Sequence, residues 1–316
     1  MNDVRPHALA HLRVAPRDLF QRYLQAHGET LAFFAAIRGR PWQPPRLEGS
    51  HVVMHAWREG TLCVDAAQAS ILRRAASGDH EPLPPELEER MHAMGWLADE
   101  PPDLDGLVEK VKSTFPAIQN PWELRRFLDE VERRKPEVIV EIGSAAGGTL
   151  YCWLQLARSG GIVVGIDAPH AIGGEPEHDW MGDLFAALAP RSIELVRIRD
   201  RSFHHSTRQD LLRALGNRKI DLLLIDGDHS YGAIHADVEM YRPLVGSGGL
   251  IAMHDICMHP ARWGRGHDVA IYWQELCERL VTKEIIDPEG SLDEPSFDDP
   301  SRFVMPALGF GLIEVD

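Results

Sequence analysis

The sequence predicts an α/β fold: a parallel sheet with helices on both faces, preceded by a small N-terminal α+β unit. Three observations carry this. From Glu137 onward, short β-branched runs alternate with helical stretches, as expected of strand–helix–strand units whose parallel strands are buried on both faces. Val138-Ile139-Val140-Glu141-Ile142 runs straight into a glycine- and alanine-rich turn and then a helical stretch. The proline- and acid-rich run Asp99-Glu100-Pro101-Pro102-Asp103 has the composition of a linker, which divides the chain into residues 1–100 and residues 101–316. A length of 316 residues suits such a division, being too long for one minimal core.

Arg17 to Ile37 places Leu19, Phe20, Tyr23, Leu24, Leu31, Phe34 and Ile37 partly at helical spacing, so it reads as one helix or as two broken at Gly28. Arg40-Pro41-Trp42-Gln43-Pro44-Pro45 cannot continue a helix, since proline lacks the amide donor. Val52 to Trp57 and Thr61 to Val64 then flank Arg58-Glu59-Gly60 as a hairpin. Asp65 caps a helix through Ala76, and Pro84-Pro85 open another that carries Leu87, Met91 and Met94 and stops at Gly95. The order hairpin, helix, helix loosely resembles the small winged-helix modules that bind leader peptides in peptide natural-product pathways. A helical lid or a dimerisation element is the alternative, because fold analogy does not establish function.

In the second unit an amphipathic stretch runs through Val111 to Phe115-Pro116. Asn120-Pro121 is a helix start, with Asn as N-cap and Pro at the first helical position, leading into Trp122 to Arg134. Strands follow at Val138–Ile142, Ile162–Ile166, Asp221–Ile225 and Gly249–Met253, and a core-packing helix over residues 268–281 includes Tyr272 and Trp273.

Composition narrows the function. A net charge of −15 disfavours a nucleic-acid substrate, because phosphate backbones need a basic surface. No run approaches the roughly 18 apolar residues that span a bilayer, and MNDVRPHALAHLRV has no secretory h-region, so a cytoplasmic location is the default expectation. The four cysteines form no CxxC pair, which suits reduced thiols without a zinc or disulfide role.

The loop Glu141-Ile142-Gly143-Ser144-Ala145-Ala146-Gly147-Gly148 joins a buried strand to a helix carrying Leu150, Trp153 and Leu154. Glycines let backbone N–H groups approach a ligand, and the helix N-terminus favours a carboxylate. A nicotinamide dinucleotide is the natural rival. Its fingerprint, however, is G-x-G-x-x-G, whereas this loop is G-x-x-x-G-G and follows an acid. Glu141 would repel a pyrophosphate but suit the cationic ammonium or sulfonium of S-adenosylmethionine (SAM). Asp167, closing the next strand, is placed to bond a ribose diol. The predicted SAM contacts are Glu141, Gly143, Ser144, Ala145, Gly147, Asp167 and Asp226, with Asp200 and Ser202 at the third strand end, where an ordinary polar turn is the alternative.

Ile118-Gln119-Asn120-Pro121-Trp122-Glu123-Leu124, followed by KPEVIVEIGSAAGGT, resembles the cephalosporin-hydroxylase and rhamnosyl O-methyltransferase-like group. Ile225-Asp226-Gly227-Asp228-His229-Ser230-Tyr231 and SGGLIAMHD are similar to the small-molecule O-methyltransferases that include macrolide-sugar enzymes. The resemblance spans residues 115–275 and implies a Rossmann-like class I methyltransferase fold and SAM as cofactor. Mapped by motif, it implies Asp226 and Asp255 as metal ligands and His229 as the base. His254 stands where the relatives carry an acid. Magnesium prefers oxygen ligands, so a histidine there shifts the site toward a softer ion such as manganese or iron, or leaves no metal.

Methyl transfer is an in-line displacement that needs alignment and an activated acceptor. His229 at a strand end can take the hydroxyl proton. A divalent metal, magnesium or manganese, held by Asp226, His254 and Asp255, can lower that hydroxyl's pKa. The expected function is therefore a SAM-dependent O-methyltransferase tailoring a small-molecule or peptide natural product, with no nucleic-acid or membrane partner and with a homodimer left open. A non-catalytic SAM-binding accessory protein is the alternative.

Overall fold

A computed structural model describes residues 9–40, 42–79, 83–97, 103–168, 179–295 and 303–316. Residues 99–102 of the expected linker, with the expected domain boundary between residues 100 and 101, and Pro41 of the helix-breaking run lie outside the described residues. No described helix is long and apolar enough to cross a membrane.

The N-terminal part is a three-stranded antiparallel sheet, ordered β1 (Leu12–Pro16), β2 (His51–His55), β3 (Thr61–Val64), with three helices: α1 (Arg17–Ile37), α2 (Ala66–Ala75) and α3 (Pro85–Ala93). The expected hairpin is β2–β3. Gly28 does not break α1, which is one helix of 21 residues: Phe20, Tyr23, Leu24, Leu31 and Phe34 are all buried, so packing overrides a single weak helix former. Asp65 caps α2 in a reciprocal capping box with Gln68. Strand β1 escaped sequence reading because its five residues, LRVAP, run directly into α1.

After α4 (Leu104–Ser113) and α5 (Pro121–Arg134) come β4 (Val138–Ile142), α6 (Gly148–Leu156), β5 (Ile162–Asp167), α7 (Trp180–Leu188), β6 (Glu194–Arg199) and α8 (His205–Leu215). Then follow β7 (Ile220–Ile225), α9 (Tyr231–Tyr241), β8 (Val245–His254), the short α10 (Pro260–Trp263), α11 (Val269–Cys277), β9 (Thr282–Ile285) and β10 (Phe310–Glu314). These strands form one sheet in the order β6-β5-β4-β7-β8-β10-β9. Strands β4 to β8 are parallel, and β10 runs antiparallel between β8 and β9. The chain winds outward through β5 and β6, then returns to β7 on the other side of β4. That reversal opens a crevice at the carboxyl ends of β4 and β7, where open α/β sheets bind ligands.

Alternation along each strand sorts the core onto two faces. Ile139, Val163, Leu222 and Leu250 pack against α4 to α7 and against N-terminal residues including Phe20, Tyr23, Val52 and Trp57. Val138, Val140, Leu223 and Ile251 pack against α8, α9 and α11. Tyr272 and Trp273 are packing residues there, 1% and 2% exposed. The N-terminal part is joined to the sheet by polar contacts as well: Tyr151 Oη donates to the Ala56 carbonyl at 3.2 Å and Arg13 to Gln155 Oε1 at 2.9 Å.

His27 and His55 lie in this joint core, and burial pushes their imidazoles down to about 4 and about 3. His55 Nδ1 accepts the Trp57 amide N–H at 3.1 Å, a bond that needs the neutral ring. An unfolded imidazole titrates near 6.5, so the folded state binds fewer protons below that pH. The stability these rings contribute is complete above about pH 6.5 and is lost as pH falls toward their folded values. Between pH 7 and pH 5, thermal denaturation should show a larger fall in Tm for the wild type than for His27→Gln/His55→Gln. Parallel falls would show that neither ring is held neutral.

Candidate active site

Two cavities open at the carboxyl edge of the sheet. One, of about 300 Å³, is lined by residues at the ends of β4, β5, β6 and β7, among them Gly143, Ala145, Asp167, Asp200, Ser202 and Asp226. The other, of about 280 Å³, lies beside it and is lined by Gln119, Ser144, Asp226, His229, His254 and Asp255, with apolar walls from Phe34, Met258, Trp263 and Leu308. They share Gly143, Ala145, Asp226 and Gly227. A ligand in the first therefore meets a ligand in the second at the end of β4.

Backbone crowding builds that junction. Gly143 has φ +89°, and a Cβ on it would sit 1.9 Å from the Asp226 carbonyl oxygen. The Asp226 N–H donates to the Ile142 carbonyl at 2.8 Å, so β4 and β7 stay paired up to the loop. Ala145 adopts φ +41°, an uncommon conformation for a residue with a Cβ, and its N–H donates to Asp167 Oδ2 at 2.7 Å. Burial raises the Asp167 pKa above the ordinary carboxylate value, opposed by Arg197 and by backbone N–H groups.

Glu141 shares the sheet face of Ile139, turned toward α6, and is fully buried. Its Oε1 accepts the Trp153 indole N–H at 2.9 Å, Oε2 has no partner, and burial pushes its pKa up to about 7. Ser144 Oγ is a second buried polar atom without a partner on the same loop. Such orphans are rare in folded proteins and call for an explanation. For Glu141 the explanation is local: the Thr149 and Ser144 hydroxyls and the Trp153 indole beside it offset part of the effect of its burial.

At the reacting edge, His229 Nε2 lies 3.0 Å from Asp255 Oδ2, and His254 Nδ1 lies 3.1 Å from both Asp226 Oδ1 and Asp255 Oδ1. Burial opposes the charge on His254, but the two carboxylates raise its pKa well above the usual value. Burial likewise opposes protonation of His229, and the Asp255 hydrogen bond outweighs it, so that ring is raised too. Asp255 is lowered: burial would raise it, and the facing imidazoles more than offset this. Asp226, His229 and Asp255 each present a ligand atom within 4.8 Å of the others.

Residues 140–256 match the family model of a methyltransferase domain. That match takes in the loop after β4 and the ends of β7 and β8. Protein y4gI of Sinorhizobium fredii is 25% identical over 150 residues, which are 46% of this chain and 16% of that protein's length. The chain thus spans under a fifth of the relative it matches. Among solved structures it is similar to the O-methyltransferase of Bacillus cereus bound to S-adenosylhomocysteine (SAH), with TM-score 0.44 and 14% identity over 73% of this chain and 97% of that one. TomG of Streptomyces achromogenes, an O-methyltransferase of tomaymycin synthesis, gives TM-score 0.43 and 14% identity over 72% and 96%. The methyltransferase MycE of the mycinamycin pathway gives 0.43 and 14% over 86% and 68%.

Of the residues expected to contact SAM, Gly143, Ala145, Asp167, Asp200, Ser202 and Asp226 line the first cavity and Ser144 lines the second. Two other expected contacts lie outside both cavities. Gly147 (φ +81°) lines neither cavity; a Cβ there would stand 2.3 Å from the Phe185 ring, so helix packing demands the glycine. Glu141 lies behind the loop and lines neither cavity. Asp200 also organises the start of α8, accepting from His204 Nδ1 at 2.7 Å and Ser206 Oγ at 3.1 Å.

The expected metal set was Asp226, His254 and Asp255, whereas the ligand atoms that lie within 4.8 Å of one another belong to Asp226, His229 and Asp255. Asp255 has φ +63°, and its carboxylate reaches both His229 and His254; but His254 is 4% exposed, its Nδ1 is occupied by the two acids, and it is His229 that completes the cluster.

Gln119 was missed. Its Nε2 donates to Asp226 Oδ2 at 2.7 Å, fixing that carboxylate from the side opposite His254. The Lys112 ammonium, its pKa pushed down to about 7 by burial, donates to the Ala117 and Gln119 carbonyls. Asn120 Nδ2 donates to the Pro306 carbonyl at 3.1 Å, and the Glu123 carboxylate accepts from the Gly309 and Leu308 N–H groups at 2.8 and 3.3 Å. The Gln119-Asn120-Pro121-Trp122-Glu123 motif thus ties α5 to the C-terminal segment that walls the second cavity. That motif was the available signal; the direction of Gln119 was not.

Proposed function

We propose that this chain is a SAM-dependent O-methyltransferase that modifies a neutral, largely apolar small molecule of the natural-product kind. The observation that carries this reading is the junction of the two cavities at Gly143, Ala145, Asp226 and Gly227, with His229 on the acceptor side. SAM in the first cavity directs its methyl toward the second, and Asp226 offers the sulfonium a negative charge. His229, oriented through Nε2 by Asp255, takes the acceptor hydroxyl proton on Nδ1. Asp226 and Asp255 would hold a divalent cation of the manganese or magnesium kind, which lowers the pKa of a nearby hydroxyl when bound.

Among the described residues that line the acceptor cavity there is no Lys or Arg. The His229 and His254 rings at this cavity are matched by the Asp255 and Asp226 carboxylates, and Phe34, Met258, Trp263 and Leu308 wall it with apolar surface, which suits a neutral acceptor. Purified protein incubated with SAM and a panel of neutral phenols and alcohols should produce SAH, and calorimetry should show one SAM per chain. Absence of SAM binding would end the proposal.

Two further outcomes are expected. Asp255→Asn should weaken Mn²⁺ binding, read by calorimetry, at least tenfold; equal affinity in the variant would remove Asp255 as a ligand. The N-terminal part serves acceptor recognition through Phe34 of α1, whose ring faces the Lys112 ammonium at 5.1 Å. Truncating an apolar wall removes binding common to ground and transition states, worth about 1–3 kcal/mol for a large side chain. Phe34→Ala should therefore raise the acceptor KM roughly tenfold or more with kcat little changed. A fall in kcat at constant KM would place Phe34 outside the binding wall.

A further inference from the structure

A third cleft, of about 770 Å³, lies between β1, the end of α2 and the α7–β6 turn, at the sheet edge opposite the catalytic loops. Arg13, Arg73 and Arg191 line it, and among the described residues no Asp or Glu does. Among the described residues none of the three arginines is in an ion pair, although the chain carries a net charge of −15.

Arg13 is 8% exposed and held only by neutral acceptors: Gln155 Oε1 at 2.9 and 3.1 Å, the Ala10 carbonyl at 2.8 Å and the Leu12 carbonyl at 3.0 Å. Arg73 Nη2 reaches the Val14 carbonyl at 3.5 Å. Leu12 and Val14 are two residues apart on a strand, so these two anchors are spaced by roughly 6.5–7 Å. A guanidinium offers five N–H donors; those of Arg191 and most of those of Arg73 are uncommitted. The α2 and α7 C-termini also face the cleft, but each contributes only about half a negative charge, against three full positive ones. Because Arg13 and Arg73 already satisfy the outer carbonyls of β1, the strand edge is not free to pair with another strand. What remains free is donor capacity for oxyanions.

We propose that this cleft is a second, non-catalytic site for a small polyanion carrying two or more carboxylate or phosphate groups. The proposal does not depend on the acceptor reading above. It is tested by calorimetric titration of the full chain at low ionic strength with citrate and, separately, with inorganic tripolyphosphate. At least one should bind with one site per chain, and whichever is tighter identifies the group preferred. Arg73→Ala/Arg191→Ala, two changes outside the core, should weaken that binding at least tenfold and leave SAM affinity unchanged. Binding of neither probe, or equal binding by the double variant, would overturn the proposal. So would displacement of the anion by SAM, which would assign it to the cofactor cavity, or tenfold tighter binding of hexaglutamate than of citrate, which would make the cleft a peptide surface.

Discussion

Replacing His229 by alanine should lower kcat by roughly 10²- to 10⁴-fold, the range typical of a positioned general base, while leaving the SAM dissociation constant unchanged. The ring lies at the acceptor side of the junction with Nε2 held by Asp255 at 3.0 Å, so it touches the second cavity and not the first. Mn²⁺ titration of the same variant separates the two uses of this side chain. Retained Mn²⁺ binding with lost turnover is the expected result and makes His229 the base. Loss of Mn²⁺ binding would make it a ligand, and unchanged turnover would remove it from the chemistry.

Gly143→Ala should have the second large effect, on cofactor binding and stability together. The substitution places a Cβ 1.9 Å from a backbone oxygen of Asp226, which no side-chain rotation can relieve, at a φ of +89° that L-residues rarely adopt. Either β4 and β7 separate at their ends or the loop shifts, and both displace a residue shared by the two cavities. SAM affinity should fall at least tenfold, and stability by several kcal/mol, as for other strained or overpacked positions. The readouts are calorimetry and thermal denaturation. Wild-type behaviour in both would show that the close approach between Gly143 and Asp226 does not hold in solution.

Much of the reacting edge was legible because strand ends converge. Once Ile220–Ile225 and Val245–His254 are recognised as parallel neighbours, Asp226, His229 and Asp255 must emerge on one edge whatever their side chains do next. Period-two alternation also explains Glu141: it falls on the face of Ile139, so it meets Trp153 of α6 behind the loop instead of the cavity in front of it. That detail needed the identity of the helix covering that face, which local pattern does not contain.

Sequence alone determined the α/β class, the strand–loop–helix that suits SAM, and the set of acids and histidines at the carboxyl edge, since these follow from short-range spacing. Tertiary structure decided which members of that set work together. That His229 and His254 both meet the Asp255 carboxylate depends on how it is aimed from a left-handed backbone at φ +63°; the tight packing at Gly147 depends on Phe185, from the next helix. Phe34 enters the wall of the second cavity from α1, more than 100 residues before the loop after β4, because a continuous core joins the N-terminal part to one face of the sheet. Such contacts arise from long-range packing of whole faces, and no local period in the sequence encodes them.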